Sequence, residues 1–399
     1  APLEMAVLAL RSAGSANGVS RLHGAVSRRL FAGLFPRWPE AEIPIGAVTN
    51  GVHVASWVSD AMRDVWHLCA GEACWDQPDR ADWARLDDIS DEALWAARNG
   101  ERARLVAWAR ERLAMHLAQR GEPADRVAEA ATVLDPDVLT IGFARRFAEY
   151  KRPTLLLRQP DRLRRLLTDP RRPVQLLVAG KAHPRDDGGK RLIAEVVRFA
   201  TDPAVRARLV FLEDYDLEHA AHLVQGVDLW LNTPRYPLEA SGTSGMKVLV
   251  NGGLDLSERD GWWAEAYDPA VGWALGNDGT EHPDDAAEAE QLYRLLEGEV
   301  VPAFYERDSG GLPRTWLARV RASMTRLTPR FSANRMVAEY VEQHYLPAAS
   351  RARALAARDG AVARELATSR EGIRAGWDSI AFGPTEILGR GARPASSSR

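Results

Sequence analysis

From Pro136 onward the chain alternates short, mostly apolar runs with segments long enough to form a helix. That alternation narrows the possible folds more than any other feature. The runs are VLTIGFA (138–144), VQLLVAG (174–180), RLVFLE (208–213), VDLWLN (227–232) and, more weakly, GLDLS (253–257). A strand with one solvated face alternates apolar and polar residues, whereas a strand covered on both faces has no need to. Helix-length spacers between such strands point to parallel pairing through crossover connections. The expectation is a doubly wound α/β domain of roughly 190 residues, whose ligands bind beyond the carboxyl ends of its strands.

The flanks read differently. Residues 3–10 and 20–35 show helical apolar spacing, with Ser20 as an N-cap, and a long helical pattern follows Ser90 as far as residue 119. Between them lies an extended, Pro- and Gly-marked stretch, IPIGAVTNGVHVASW (43–57). Residues 284–347 read as helical, and the Gly-, Ser- and Arg-rich tail from Gly389 as disordered. The expected organisation is a helical region over 1–134, the sheet domain over 135–330, a terminal helix over 331–349 and a partly disordered tail over 350–399.

Charge and cysteine content exclude several classes. A net charge of −3 gives no reason to expect a nucleic-acid or acidic-membrane partner. No apolar run approaches the ~20 residues a spanning helix needs. Cys69 and Cys74 are too few for a disulfide framework and lack a second pair for zinc, so no metal is expected and a reducing cytoplasm is the simplest compartment. The basic residues are skewed: only Lys151, Lys181, Lys190 and Lys247 are lysines, against 48 arginines. Where arginine has replaced lysine so widely, a surviving lysine becomes a candidate for work that needs a deprotonatable amine. Survival by chance on the surface is the alternative.

Two constellations sit where the sheet places ligands. After VDLWLN comes TPRYPLEASGTSGMKVLVNGG (233–253), in which the small, glycine-rich segment 241–245 opens a helix carrying Lys247 in its first turns. Backbone N–H groups there, with the hydroxyls of Thr243 and Ser244, can hold a phosphate. The competing reading is a tight βα turn with no ligand. A lysine there can condense with an aldehyde once burial lowers its pKa. After the first strand, ARRFAEYKR (144–152) crowds Arg145, Arg146, Lys151 and Arg152 into eight positions. Such crowding suits an anion pocket, although a solvated basic loop has the same composition. Asn50, in a third segment, is either a helix cap or a sugar ligand, and Trp57 either core or a ligand platform.

In order and spacing, ARRFAEYKR, AGKA (179–182), FLEDY (211–215) and EASGTSGMKVLVNGG (239–253) resemble the consecutive motifs of the α-glucan phosphorylase family. NGVSRLHG (17–24) and TNGVH (49–53) resemble the segment that precedes them, and the likeness runs from about residue 3 to 346. PLEASGTSGMK and DGWW (260–263) resemble the shorter bacterial form. The resemblance implies a two-domain, glycosyltransferase-B-like architecture, with one Rossmann-like domain complete here and only the helical end of the other present. The chain would then be the C-terminal part of a longer enzyme, one that is a homodimer at full length and incomplete in isolation.

The resemblance also implies roles. Lys247 would carry pyridoxal 5′-phosphate as a Schiff base. Thr243, Ser244 and Arg145 would lie by the cofactor phosphate, although long-form enzymes have lysine in place of Arg145. Trp57 and Tyr215 would pack near the cofactor. Arg146 and Lys151 would bind inorganic phosphate, and Asn50, Glu239, Ser241 and Gly242 the glucosyl unit of an α-1,4-glucan. The rival is a cofactor-free retaining glycosyltransferase of the same architecture. Those enzymes commonly pair two glutamates eight residues apart, and here Glu239 is followed at that spacing by Lys247. A non-catalytic glucan-binding fragment is the third reading.

Overall fold

The computed structural model describes residues 4–71, 83–276, 284–381 and 383. Cys74, the side chain of Cys69 and the tail from Gly389 lie outside the described residues. The chain forms two compact units, 1–340 and 341–399.

The first unit is built on a six-stranded, wholly parallel sheet in the order β5-β4-β3-β6-β7-β8. Its strands are β3 (Leu139–Ala144), β4 (Val174–Ala179), β5 (Leu209–Leu212), β6 (Leu229–Asn232), β7 (Leu254–Glu258) and β8 (Gly272–Leu275). Every residue of β3, β4, β6 and β7 is buried, as expected of strands covered on both faces. One face packs Ile141, Phe143, Leu176 and Leu231 into a core with Tyr293, Phe304 and Trp316. The other packs Ala144, Leu177, Val210 and Trp230 against Leu105, Val106 and Ala109 of the helix Asp91–Gln119. The sequence runs anticipate five of these strands; β8 escaped them, being four residues that begin with glycine. A smaller parallel pair, β1 (Ala16–Gly18) with β2 (Ile45–Ala47), lies in the N-terminal region.

Strand order reverses between β3 and β6, which makes the gap outside their carboxyl ends the switch point of the sheet. Several of the helices start on side-chain caps. Ser20 accepts from the His23 N–H, Ser59 from Met62, Ser90 from Ala93 and Asp216 from His219. No described helix is long and apolar enough to cross a membrane.

The second unit contains the helix Leu346–Gly376, broken by non-helical backbone at residues 357–360, with no buried side chain. Alanine and arginine make up more than half of it, both strong helix formers, so helicity here follows from propensity rather than from a buried face.

Candidate active site at the switch point

Two loops meet at the switch point, and an arginine links them at once. Arg145, the first residue after β3, hydrogen-bonds the side chain of Asn232, the last residue of β6. It also donates to Glu239 Oε2 at 2.5 Å, and Lys151 Nζ reaches the same oxygen at 2.5 Å. Burial alone would raise the Glu239 carboxyl, but the two cations outweigh it and hold the group below the ordinary carboxylate range. Lys151, almost wholly buried, also sits over the Tyr150 ring with Nζ 4.7 Å from its centroid. Arg146 is exposed and makes no ion pair among the described residues.

The fourth cation of the basic motif goes elsewhere. Arg152 adopts the left-handed backbone conformation (φ 46°), which turns its side chain into the protein. There it donates to the Thr233 and Pro234 carbonyls and pairs with Glu258, Asp285 and Glu288. The four crowded charges therefore divide into three at the switch point and one saturated in the core.

The glycine-rich segment is held from below. Asp260, after β7, accepts the Glu239 N–H at 2.9 Å and the Gly261 N–H at 2.7 Å. Burial pushes its carboxyl up to about 6, although those hydrogen bonds oppose the rise. The Ser241 carbonyl accepts the Trp262 N–H at 2.9 Å. Gly242 has φ 76°, the region glycine enters without strain. The helix Ser244–Leu249 then begins with no side-chain cap from Thr243, and the Ser244 hydroxyl accepts the Trp230 indole N–H. Six residues carry only a small dipole, so anion affinity here leans on side chains more than on the helix.

Lys247 projects from that helix with Nζ 3.7 Å from the centroid of the Trp57 ring. Burial is the sole cause that lowers its pKa, and the amine makes no ion pair among the described residues. Trp57 and Tyr215 pack against the same apolar cluster, which includes Trp230 and Val248. Burial raises the Tyr215 hydroxyl, against the nearby charge of Arg145. Two buried polar atoms of the site lack a partner altogether: Arg145 Nε and Ser241 Oγ. Native interiors rarely leave such groups unpaired unless a ligand or water completes them.

Asn50 belongs to a segment anchored on the N-terminal region and on residues 331–335. Its N–H bonds the Val19 carbonyl, and its own carbonyl accepts from Arg335. Ser20 Oγ, from the same region, donates to the Ala240 carbonyl and so ties this segment to the glycine-rich loop. Sequence reasoning missed Asn232, Asn251 and Asp260. A polar residue closing an apolar strand, as Asn232 closes VDLWLN, was the available signal. A solvent-open pocket lined by Leu113, Val133 and Phe211 among others lies by the edge strand β5 and contains none of these residues.

A doubly wound sheet with a basic loop, a glycine-rich loop and a part-buried lysine at its switch point defines an α/β protein with its candidate ligand site beyond the carboxyl ends of its strands. The chain belongs to the carbohydrate phosphorylase family, whose model matches residues 1–272. It is 47% identical over 392 residues to a glycogen phosphorylase of Mycobacterium tuberculosis, covering 98% of this chain and 45% of that protein. A glycogen phosphorylase of Aquifex aeolicus is 41% identical over 341 residues, 85% of this chain and 49% of the relative. A maltodextrin phosphorylase of Thermococcus litoralis is 37% identical over 380 residues, 94% and 44% respectively. The chain thus spans about half the length of the curated relatives it matches.

Proposed function

We propose that the chain supplies the cofactor- and phosphate-binding half of an α-1,4-glucan phosphorylase, which releases glucose 1-phosphate from glycogen or maltodextrin. The observation that carries this reading is Lys247: a part-buried amine without an ion pair, covered by Trp57, behind a glycine-rich turn at the switch point. A structural lysine would be expected to gain an anionic partner or reach solvent. An amine whose charge is disfavoured is suited to covalent bonding with an aldehyde.

The residues present fit pyridoxal 5′-phosphate. Lys247 would hold it covalently, Trp57 and Tyr215 would pack beside it, and the orphaned Arg145 Nε, with the Thr243 and Ser244 hydroxyls, would face its phosphate. When bound, the cofactor would supply a phosphate that exchanges a proton with the substrate phosphate. Arg146, free of any ion pair among the described residues, and Lys151 would bind inorganic phosphate. Two phosphates a few ångströms apart repel strongly at low dielectric, so three cations at one strand edge suit that load. Glu239, Ser241, Gly242 and Asn50 would hold the glucosyl unit, with Glu239 turning from the two cations to sugar hydroxyls. On this reading the sheet region over 135–330 is the cofactor domain and 1–134 the helical end of the glucan-binding domain, in a cytoplasmic enzyme that is dimeric at full length.

The test is absorbance of the chain with added pyridoxal phosphate, followed by borohydride reduction and peptide mapping. Label trapped on Lys247 and lost in Lys247→Ala supports the reading. Label spread over Lys181 and Lys190, unchanged by the substitution, overturns it.

A further inference from the structure

The helix that carries Lys247 stops abruptly, and the way it stops leaves an acceptor open. In a continuing helix the Lys247 carbonyl would accept the N–H of residue 251. That N–H instead bonds the Val248 carbonyl at 3.0 Å. The side chain of Asn251 takes the vacant position, Nδ2 donating to the Lys247 carbonyl at 2.8 Å. The same Nδ2 donates to the Trp57 carbonyl at 2.9 Å, and Oδ1 accepts the Ser59 N–H at 2.8 Å. Trp57 is the last residue of the short helix Val54–Trp57, and Ser59 caps the helix Asp60–Ala70. One fully buried carboxamide thus satisfies orphan groups at the ends of three helices. Two carbonyls need donors and one N–H needs an acceptor, so only one orientation of the amide serves. No other protein-coded side chain of this length offers that combination.

We infer that Asn251 is a positioning residue that holds the Trp57 indole against Lys247 Nζ. The contact stands on geometry alone; its bearing on catalysis rests on reading Lys247 as the cofactor lysine. Asn251 grips the backbone of both residues at 2.8 and 2.9 Å, more closely than the one other side chain on the Trp57 carbonyl, Gln225 at 3.4 Å, and so fixes the backbone from which indole and amine meet at 3.7 Å. With the grip lost, the indole drifts, water reaches the amine and Lys247 returns toward ordinary lysine behaviour.

The experiment is competitive trace acetylation of the chain across pH, read at Lys247 by mass spectrometry. With only four lysines in the sequence, each is resolved separately. Asn251→Ala is expected to raise the pH at which Lys247 becomes half-reactive by about one unit. The isosteric Asn251→Asp, which presents lone pairs to two carbonyls, should shift it in the same direction. In a Trp57→Leu background, Asn251→Ala should add little further, because a residue that acts through another loses its effect once that other is gone. Equal shifts in both backgrounds would mean a general loosening and would overturn the inference. So would unchanged Lys247 reactivity in Trp57→Leu, a measurement that needs no Asn251 variant to fold. None of these readouts uses the cofactor, so the inference and the functional reading can fail separately.

Discussion

The two edges of the sheet each carry buried arginines, and they treat them in opposite ways. At the amino ends of the strands, Arg98 donates to the carbonyls of Gln225, Gly226, Val227 and Asn251. Beside it Arg102 pairs with Asp228 at 2.7 Å and bonds the Pro136 carbonyl, and Asp228 in turn accepts the Thr140 N–H. All three guanidinium nitrogens of Arg102 and both terminal nitrogens of Arg98 have partners. At the carboxyl ends, among the described residues, Arg145 Nε and Ser241 Oγ lack partners, Arg146 makes no ion pair and Lys247 Nζ sits against the Trp57 indole without one. A cation that holds a fold together saturates its donors, because each unmet buried donor costs about 1–3 kcal/mol. A cation that waits for a ligand leaves capacity open. The same contrast exists within one motif: Arg152 is saturated and structural, while Arg145, seven residues earlier, is not.

The largest expected effect sets the edges directly against each other. Arg102→Met keeps much of the side-chain volume but takes from buried Asp228 its 2.7 Å partner, leaving Arg98 at 3.9 Å, and should cost about 3–5 kcal/mol in denaturant unfolding. Arg145→Met leaves Glu239 still paired with Lys151 and should cost about 1 kcal/mol. Equal losses would erase the distinction. Arg146→Ala should weaken phosphate binding by roughly ten- to a hundredfold, about 1.5–3 kcal/mol, with stability changed by less than about 0.5 kcal/mol. Calorimetric titration with inorganic phosphate, compared with the melting curve, separates the two effects.

A buried acid on β7 sharpens the comparison through pH. Asp255 Oδ2 has no partner, and burial pushes the carboxyl up to about 8 from an ordinary 3.8. The folded chain keeps that proton between those values while the unfolded chain has released it. Stability should therefore fall as pH rises from about 4 to about 8. Asp255→Asn removes the titration, so the variant should gain about 1–3 kcal/mol over the parent at pH 8 and little at pH 4. Parallel curves from urea unfolding at the two pH values would show that Asp255 is not the group responsible. The carboxyl lies against Gly245, where an added Cβ would meet Oδ1 at 2.3 Å, so it supports the Lys247 helix from beneath. Its protonated form also adds no negative charge below a site proposed to hold two phosphates.

Much of this was legible in the sequence. The strands showed because burial on both faces compels continuous apolar runs, and their carboxyl ends followed as the place for ligands, whereas the switch point came only with the strand order. The structure brings Arg145, Lys151 and Glu239 into contact, and sets Trp57 on Lys247, from motifs far apart in the chain. The departure of Arg152 was not legible, since it depends on one positive φ that no side-chain pattern announces. Asn251 and Asp260 act by hydrogen-bonding distant backbone, and backbone partners leave no trace in composition or spacing. β2 was hidden inside the stretch read as extended connection, and β1 fell in the gap between two helical patterns.

Two glycines with nearly the same backbone supply the finest test of the two edges. Gly242, in the substrate loop, has φ 76°, and Gly252, beside Arg98, has φ 74°. Alanine at either position meets the left-handed penalty of about 1 kcal/mol. At Gly252 a new Cβ would also lie 2.9 Å from Arg98 Cδ and force that four-bonded, buried side chain to move. Gly252→Ala should therefore cost about 2–3 kcal/mol, the backbone strain plus loosened carbonyl contacts. At Gly242 the nearest atom is Glu239 Cγ at 3.4 Å, close to ordinary contact. Gly242→Ala should cost only about 1 kcal/mol of stability. Its sharper consequence should be at Glu239, since the substituted loop would hold that carboxylate less exactly between Arg145 and Lys151. Unfolding curves of the two variants then measure how much give each edge has. A Gly242→Ala loss as large as that of Gly252→Ala would mean that the ligand edge is packed as rigidly as the structural one, and its open donors would need another explanation.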